Sequence, residues 1–136
     1  MTIDAGAGGA PPVVTDADLD RLQDVYVAAA LLAQRAGFDF VDVKQCHGYL
    51  LSELLSAKTR PGRYGGSLEN RTRFVRDLLG RIRSEAGGSL ILASRINLYD
   101  GVPFEKDPAT GAGRPARFPV PYRGGFGVDE EDPLKP

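Results

Sequence analysis

The chain reads GFDFVDVKQCHGYL over residues 37–50 and YGGSLENR over residues 64–71. In the first stretch, Phe38 to Val43 is a β-branched and aromatic run of strand length, and polar residues follow it directly. Gly37 suits the left-handed residue that ends a preceding helix. In the second stretch, glycines form a loop and Ser67 can cap a following helix. The order predicts a buried strand, a polar site at its exit, and a helix.

The segment before this strand is predicted to be a helix. Thr15 can cap its first turn, and Asp16 and Asp18 suit the positive end of the helix dipole. Apolar residues then recur at helical spacing, so we expect one buried face. That face comprises Leu19, Leu22, Val25, Ala29, Leu32 and Ala36.

The segment after the strand repeats the pattern. Tyr49 to Ser56 is predicted to be a short helix, and a second helix runs from Ser67 to about Ala86, burying Phe74, Leu78, Leu79 and Ile82. Residues 90–96 read as a second buried strand. A helix, strand, helix, strand series implies parallel strands, so the fold class is α/β.

The two ends of the chain have a different composition. Residues 1–14 are rich in glycine, alanine and proline, and we expect them to be disordered; residues 99–136 are rich in proline and glycine and are expected to form a long irregular loop or tail. The folded region is therefore predicted to span residues 15–98. With 136 residues in all, the chain is shorter than a complete (β/α)8 barrel of about 250 residues.

Composition narrows the classes of partner. Seventeen basic and eighteen acidic residues give a net charge of -1, which provides no electrostatic attraction to nucleic acid or to an anionic membrane. Cys46 is the only cysteine, so neither a disulfide framework nor a thiolate cluster for a metal is expected. No signal peptide or membrane span is predicted. These features favour a cytoplasmic protein whose ligand binds at a local site rather than through overall charge.

Polar side chains follow both predicted strands. Lys44, His47 and Tyr49 come at or just after the end of the first strand, and Arg95 stands near the end of the second. In parallel barrels, chemistry is found at the carboxyl ends of the strands. Lys44 and His47, three residues apart, can stabilise an oxyanion, and Tyr49 can donate a proton. Arg95 is suited to an anionic edge of a cofactor.

Taken together, these motifs resemble the old yellow enzyme family of FMN-dependent ene-reductases, which includes the bacterial 2,4-dienoyl-CoA reductases. The resemblance covers residues 15–98 and corresponds to the middle of a TIM barrel, with two parallel strands and their flanking helices. It implies an enzyme in which NADH or NADPH reduces FMN, and the flavin hydride then passes to an activated alkene or a related small-molecule substrate. FMN and a nicotinamide reductant are the implied cofactors.

The resemblance also implies roles for individual residues. Lys44 and His47 occupy the two positions that hold the substrate oxygen, although the family commonly has histidine at the first of them. Tyr49 occupies the position of the proton-donating tyrosine, and Arg95 that of the arginine that meets the flavin pyrimidine ring. No metal ligand is implied.

Several alternatives stay open at this point. Two strands leave sheet edges uncovered, so the chain can be a piece of a longer enzyme, an inactive remnant that acts only through oligomerisation or a partner, or a protomer that assembles with other copies or with the remainder of the barrel on another chain. Cys46 with His47 would suggest a thiol hydrolase. Gly65, Gly66 and Ser67 before a helix could bind phosphate, but a turn and a cap are the simpler explanation.

Overall fold

The structure, a computed structural model, describes residues 13–97 and 104–115. Its elements follow the predicted order, with two parallel strands set among helices, and they confirm the α/β class. They are α1 (Asp16–Arg35), β1 (Phe40–Gln45), α2 (Leu50–Ser56), α3 (Leu68–Ala86), a 3-10 turn (Gly87–Ser89), β2 (Ile91–Ile96), β3 (Phe104–Lys106) and β4 (Gly113–Pro115). Residues 1–12, 98–103 and 116–136 lie outside the described residues, so the predicted domain boundaries stay predictions.

Helix α1 begins with the predicted cap. The Thr15 Oγ1 atom accepts a hydrogen bond of 3.1 Å from the Asp18 amide, and the Thr15 amide donates one of 2.9 Å to Asp18 Oδ2. This reciprocal arrangement is a capping box, which satisfies two otherwise orphaned backbone groups at the start of the helix. The chain leaves the helix through Gly37, whose φ of 90° is readily adopted only by glycine.

The buried face of α1 differs from the predicted one. Leu19, Val27 and Ala30 are buried, whereas Val25 and Leu32 are 62% and 60% exposed. The prediction was therefore wrong for these two residues, and also for Ala29 and Ala36, which are exposed. The reason is the composition of residues 25–33, which are apolar nearly all round the helix, so periodicity alone could not select the face that packs on the core.

Strands β1 and β2 pair in parallel, and their register aligns the polar ends. Phe40 pairs with Ile91, and Lys44 pairs with Arg95. On one face, Val43 is buried against the helices, with Val41 and Leu92 partly buried beside it. On the opposite face, Phe40 is 58% and Ile91 64% exposed. The expectation of two buried strands is therefore wrong for this face, which in a closed barrel is the interior. It is also wrong for Ser94 and Ile96 on the first face of β2, which are exposed.

The core lies between the helices and the first face of the sheet. Phe74 on α3 is 1% exposed and contacts the rings of Tyr26 and Tyr64 edge-on, at centroid distances of 6.2 and 5.9 Å. Leu78 and Ile82 are buried, as predicted, and Ser67 caps α3 by accepting a hydrogen bond from the Asn70 amide. These contacts hold the helices rigidly behind the two strands.

Arg71 is a buried charge that the sequence analysis did not identify. It is 1% exposed, its Nε atom donates to the Gly66 carbonyl at 2.9 Å, and its Nη1 atom donates to the Leu55 carbonyl. Because the guanidinium carries several fixed donors, one side chain ties the end of α2 to the start of α3. The loop between the helices is thus built around Arg71.

A short antiparallel hairpin, β3 and β4, lies within the segment that was predicted to be irregular. Its turn is closed by Asp107, whose Oδ1 accepts hydrogen bonds of 2.9 Å from the Ala109 and Thr110 amides. With three residues in each strand, the hairpin is too short for alternation to reveal it in the sequence. Within residues 13–97 and 104–115, no helix has the length and apolar character needed to cross a bilayer.

Candidate functional site

The chain turns sharply at the end of β1. His47 and Gly48 both have positive φ, 62° and 66°, and the Tyr49 amide faces the Cys46 carbonyl at 3.5 Å. Positive φ at both central residues is the pattern of a type I′ turn. Among the described residues, His47 is the only non-glycine residue with positive φ, a conformation that costs about 1–3 kcal/mol and that clusters at functional sites.

Lys44 and Tyr49 meet across this turn. The Lys44 Nζ atom lies 3.4 Å from the centroid of the Tyr49 ring, which is the geometry of a cation–π contact. Tyr49 is 52% exposed and occupies the N-cap position of α2. In the part of the chain that the structure describes, its hydroxyl has no hydrogen-bond partner. The contact therefore holds an ammonium and a free phenolic hydroxyl together at the exit of β1.

Arg95 stands beside Lys44 on the neighbouring strand. The two residues are Cα partners in the parallel register, so their side chains leave the same face of the sheet. The Arg95 side chain is 61% exposed, and its Nε atom donates to Asp42 Oδ2 at 2.5 Å. Asp42 was not among the predicted site residues. Its position two residues before Lys44 on the same strand was the signal that could have found it, because alternate residues share a face.

The opposite face of the strand ends is fixed by hydrogen bonds. Gln45 is buried and its Nε2 atom donates to Ser94 Oγ at 2.7 Å, and Ser94 Oγ donates in turn to the Val43 carbonyl at 2.7 Å. These bonds lock β1 and β2 together immediately behind Lys44 and Arg95. The site is therefore supported by rigid elements, which is the usual requirement for a precise ligand site.

The remaining sequence candidates separate into exposed and buried groups. His47 is exposed at the turn, and within the described ranges no hydrogen bond joins it to Lys44, Tyr49 or Arg95. Cys46 is 4% exposed, which places its thiol away from solvent and argues against a thiol hydrolase, since reactive thiolates are partly exposed. Residues 13–97 and 104–115 contain no cluster of three His, Cys, Asp or Glu residues able to hold a metal ion.

Parallel strands with helices behind them and polar side chains at their carboxyl ends are the arrangement of an α/β ligand site, as in a TIM barrel. The sequence model of the NADH:flavin oxidoreductase / NADH oxidase family matches residues 8–112, and the chain belongs to that family. The resemblance drawn from the motifs is thereby confirmed.

Known relatives agree in sequence and in structure. The chain is 38% identical over 106 residues to an NADH:flavin oxidoreductase of Gibberella zeae, covering 76% of this chain and 25% of that protein. It is 32% identical over 130 residues to an NADPH dehydrogenase of Geobacillus thermodenitrificans, covering 81% of this chain and 38% of that protein. Old Yellow Enzyme from Pichia sp. AKU4542 superposes with a TM-score of 0.59 at 34% identity, covering 65% of this chain and 24% of that one.

The old yellow enzymes among the structural neighbours are TIM barrels. The chain spans about a quarter to two fifths of the length of these three relatives. Family membership implies FMN and a nicotinamide reductant, and the residues of the site fit one edge of a flavin. Arg95 presents a guanidinium on the interior face with its Nε engaged by Asp42. In the described residues its two Nη groups have no partner, so they are available to carbonyl or anionic oxygens.

Proposed function

We propose that this chain forms the part of a barrel wall that holds the pyrimidine edge of FMN and the substrate in an FMN-dependent NAD(P)H oxidoreductase of the ene-reductase type. The observation that carries the proposal is the pairing of Lys44 with Arg95 at the carboxyl ends of two parallel strands. The register places two cations side by side on the interior face, where a barrel enzyme binds its ligands.

Arg95 is the residue that would hold the cofactor. Its guanidinium is always charged, planar and equipped with several donors, which suits an oxygen and nitrogen edge that carries partial negative charge. FMN, when bound, supplies the redox chemistry, passing on to an activated alkene the reducing equivalents received from NADH or NADPH. The protein's own contribution is to bind, orient and stabilise charge.

Lys44 and His47 would hold the substrate oxygen. An ammonium and an imidazole N–H can both donate to a carbonyl, and they strengthen as negative charge develops on that oxygen. Lys44 is held in place by the Tyr49 ring, and His47 is presented by a left-handed turn. The first observation supports a fixed ammonium rather than a freely moving surface side chain, and the second fixes the backbone from which the imidazole projects.

Tyr49 would donate the proton that completes alkene reduction. Its hydroxyl is unengaged among the described residues, and its ring is half exposed at the mouth of the site. The proton goes to the substrate carbon that does not receive the hydride, and solvent restores it to the phenol afterwards. General acid catalysis by a positioned side chain contributes typically about 10²–10⁴-fold to a rate.

The interior face needs further strands to complete a flavin pocket. Phe40 and Ile91 are exposed on it, and two strands alone leave a sheet with open edges. We propose that the rest of the wall comes from the remainder of a longer barrel or from other chains, including further copies of this one. The same exposed face supports a second candidate function, an inactive barrel segment that acts only by docking. We also propose a cytoplasmic location, supported by the single, buried cysteine.

Anaerobic half-reactions distinguish the two candidate functions. The purified chain is mixed with FMN, then with NADH or NADPH, and finally with an α,β-unsaturated ketone, while the visible flavin absorbance is followed. The enzyme predicts bleaching by the nicotinamide and recovery of colour with the ketone. Arg95→Ala should abolish both phases and Arg81→Ala, which breaks an ion pair with Asp24 between α1 and α3, should not. Absence of any protein-dependent change in the wild type would favour the docking segment.

A further inference from the structure

Asp42 forms an ion pair with Arg95 that the sequence motifs did not predict. It lies on β1 between Phe40 and Lys44, on the interior face, and its Oδ2 atom accepts from Arg95 Nε on β2 at 2.5 Å. In the register Asp42 pairs with Ala93, so Arg95 reaches back across one strand position to meet the carboxylate. The Asp42 side chain is 25% exposed and that of Arg95 is 61% exposed.

The atom used by Arg95 decides what the contact can do. A guanidinium that binds a carboxylate through both Nη atoms uses two of its four outer N–H donors, whereas a bond through Nε leaves all four free. In this structure Nε is engaged, and within residues 13–97 and 104–115 neither Nη atom has a partner. Because the guanidinium is planar, a fixed Nε also fixes the direction in which both Nη groups point. Asp42 thus constrains Arg95 without consuming the donors that would meet a ligand.

The charge on this face supports the same role. Asp42, Lys44 and Arg95 are the charged residues of the two paired strands on the interior side. The Asp42 carboxylate balances one of the two cations, which limits the repulsion between Lys44 and Arg95 as Cα partners. One net positive charge remains, which suits a cofactor edge or substrate oxygen of partial negative charge.

We propose that Asp42 is a positioning residue that holds the Arg95 guanidinium in the orientation needed to bind the flavin edge. The inference rests on the proposed function, since it assigns Arg95 to FMN. It differs from a purely structural strand-to-strand ion pair in one respect: the effect of Asp42 on FMN must pass through Arg95.

A double-mutant cycle tests this dependence. FMN affinity is measured by quenching of flavin fluorescence for the wild type, Asp42→Asn, Arg95→Ala and the double variant. We expect Asp42→Asn to weaken FMN binding about tenfold in the wild-type background and to have no further effect when Arg95 is already alanine. Asp42→Glu, which keeps the carboxylate, should recover most of the affinity. Asp24→Asn, which breaks the Asp24–Arg81 pair behind the sheet, is the matched control and should bind FMN like the wild type.

A second measurement keeps folding and positioning apart. The ¹⁵N-edited NMR signal of the Arg95 Nε–H group reports its hydrogen bond in the chain without flavin, and circular dichroism reports the fold. The signal should shift in Asp42→Asn and return in Asp42→Glu, with unchanged helix content. Two results would overturn the positioning role alone. In the first, Asp42→Asn lowers FMN affinity equally whether residue 95 is arginine or alanine. In the second, Asp42→Asn does not lower FMN affinity, although Arg95→Ala does. Failure of the wild type to bind FMN, both alone and with the remaining barrel strands supplied, would instead overturn the proposed function, and the inference with it.

Discussion

The ammonium of Lys44 lies 3.4 Å from the centroid of the Tyr49 ring, so the end of β1 is joined to the start of α2 across the turn between them. A cation–π contact at a partly exposed position contributes about 0.5–1 kcal/mol. The consequence for the site is larger than this energy suggests. The residue that departs from the family's usual histidine is held in place by the proposed proton donor.

Two substitutions of Tyr49 separate its ring from its hydroxyl. Tyr49→Phe keeps the contact with Lys44, so the free energy of unfolding should be unchanged in urea denaturation. Tyr49→Leu removes the ring and should lower that free energy by about 0.5–1 kcal/mol. In the proposed enzyme, Tyr49→Phe should also slow alkene reduction by about 10²–10⁴-fold without affecting reduction of the flavin by NADH or NADPH. An alkene reduction rate equal to that of the wild type would remove Tyr49 from the chemistry.

The left-handed conformation of His47 makes its replacements unequal. Asparagine tolerates positive φ, whereas a β-branched residue there pays a steric cost of about 1–2 kcal/mol. We therefore expect His47→Asn to unfold at nearly the wild-type urea concentration and His47→Val to be less stable by about that amount. Similar midpoints for both variants would show that the turn does not require its φ of 62°.

Gly65 in the α2–α3 loop has no room for a Cβ atom, whereas Gly80 on α3 has, and replacing each by alanine tests how tightly the loop packs. A Cβ atom at Gly65 would lie 2.2 Å from the Arg60 carbonyl oxygen, while one at Gly80 on α3 would meet nothing within 4 Å. Gly65→Ala should destabilise the chain, because backbone must move to accept it. Gly80→Ala should stabilise it by about 0.5–1 kcal/mol, since glycine disfavours a helix interior. Thermal unfolding followed by circular dichroism measures both, and shifts in the same direction would contradict the described loop.

The contact of the α2–α3 loop with Asp20 on α1 makes the free energy of unfolding depend on pH in acid. The Tyr64 hydroxyl donates to Asp20 at 2.5 Å and Arg63 pairs with the same carboxylate, which together hold the pKa of Asp20 below its ordinary value of 3.8. The Asp20 carboxylate therefore binds a proton more readily in the unfolded chain than in the folded chain. The stabilisation is complete above about pH 4 and is lost as the pH falls through the lower folded pKa.

Urea denaturation between about pH 2 and 7 checks this expectation. Asp20→Asn should flatten the loss of stability in acid, and Tyr64→Phe, which removes the hydroxyl donor, should flatten it partly.

At the alkaline end the sign is reversed, because burial and the Asp20 carboxylate raise the pKa of Tyr64 above 10.0. That contribution is present below pH 10 and is lost as the pH rises through the folded value. An unchanged acid limb in Asp20→Asn would contradict the Asp20–Tyr64 contact.

Most of the element order could be predicted because caps and turns are local signals. Thr15, Gly37 and Ser67 mark helix ends through hydrogen bonds or φ angles that involve only nearby residues. The buried face of α1 could not be predicted in the same way, since residues 25–33 are almost uniformly apolar. Which of them pack depends on where α3 crosses, and that is a tertiary property.

The site could be predicted residue by residue but not contact by contact. Polar residues after two parallel strands must meet at one edge, and Lys44 and Arg95 do so. The contact of Lys44 with Tyr49 depends on the left-handed His47. Histidine is enriched at positive φ but adopts it only in a minority of cases, so its presence alone does not predict this turn. Asp42 was missed because a carboxylate in a strand has no motif of its own, although its spacing of two residues from Lys44 places it on the same face. Its partner is known only once the register between the strands is known.

If the interior face of β1 and β2 binds FMN, flavin and protein should sediment together. The purified chain and FMN are centrifuged together, and the boundary is followed by the visible absorbance of the flavin at several protein concentrations. Flavin colour should sediment with the protein in the wild type and in Arg81→Ala, and should remain with the small solutes in Arg95→Ala. Flavin that never sediments with the wild type, either at any protein concentration or with the remaining barrel strands supplied, would show that this face does not bind FMN.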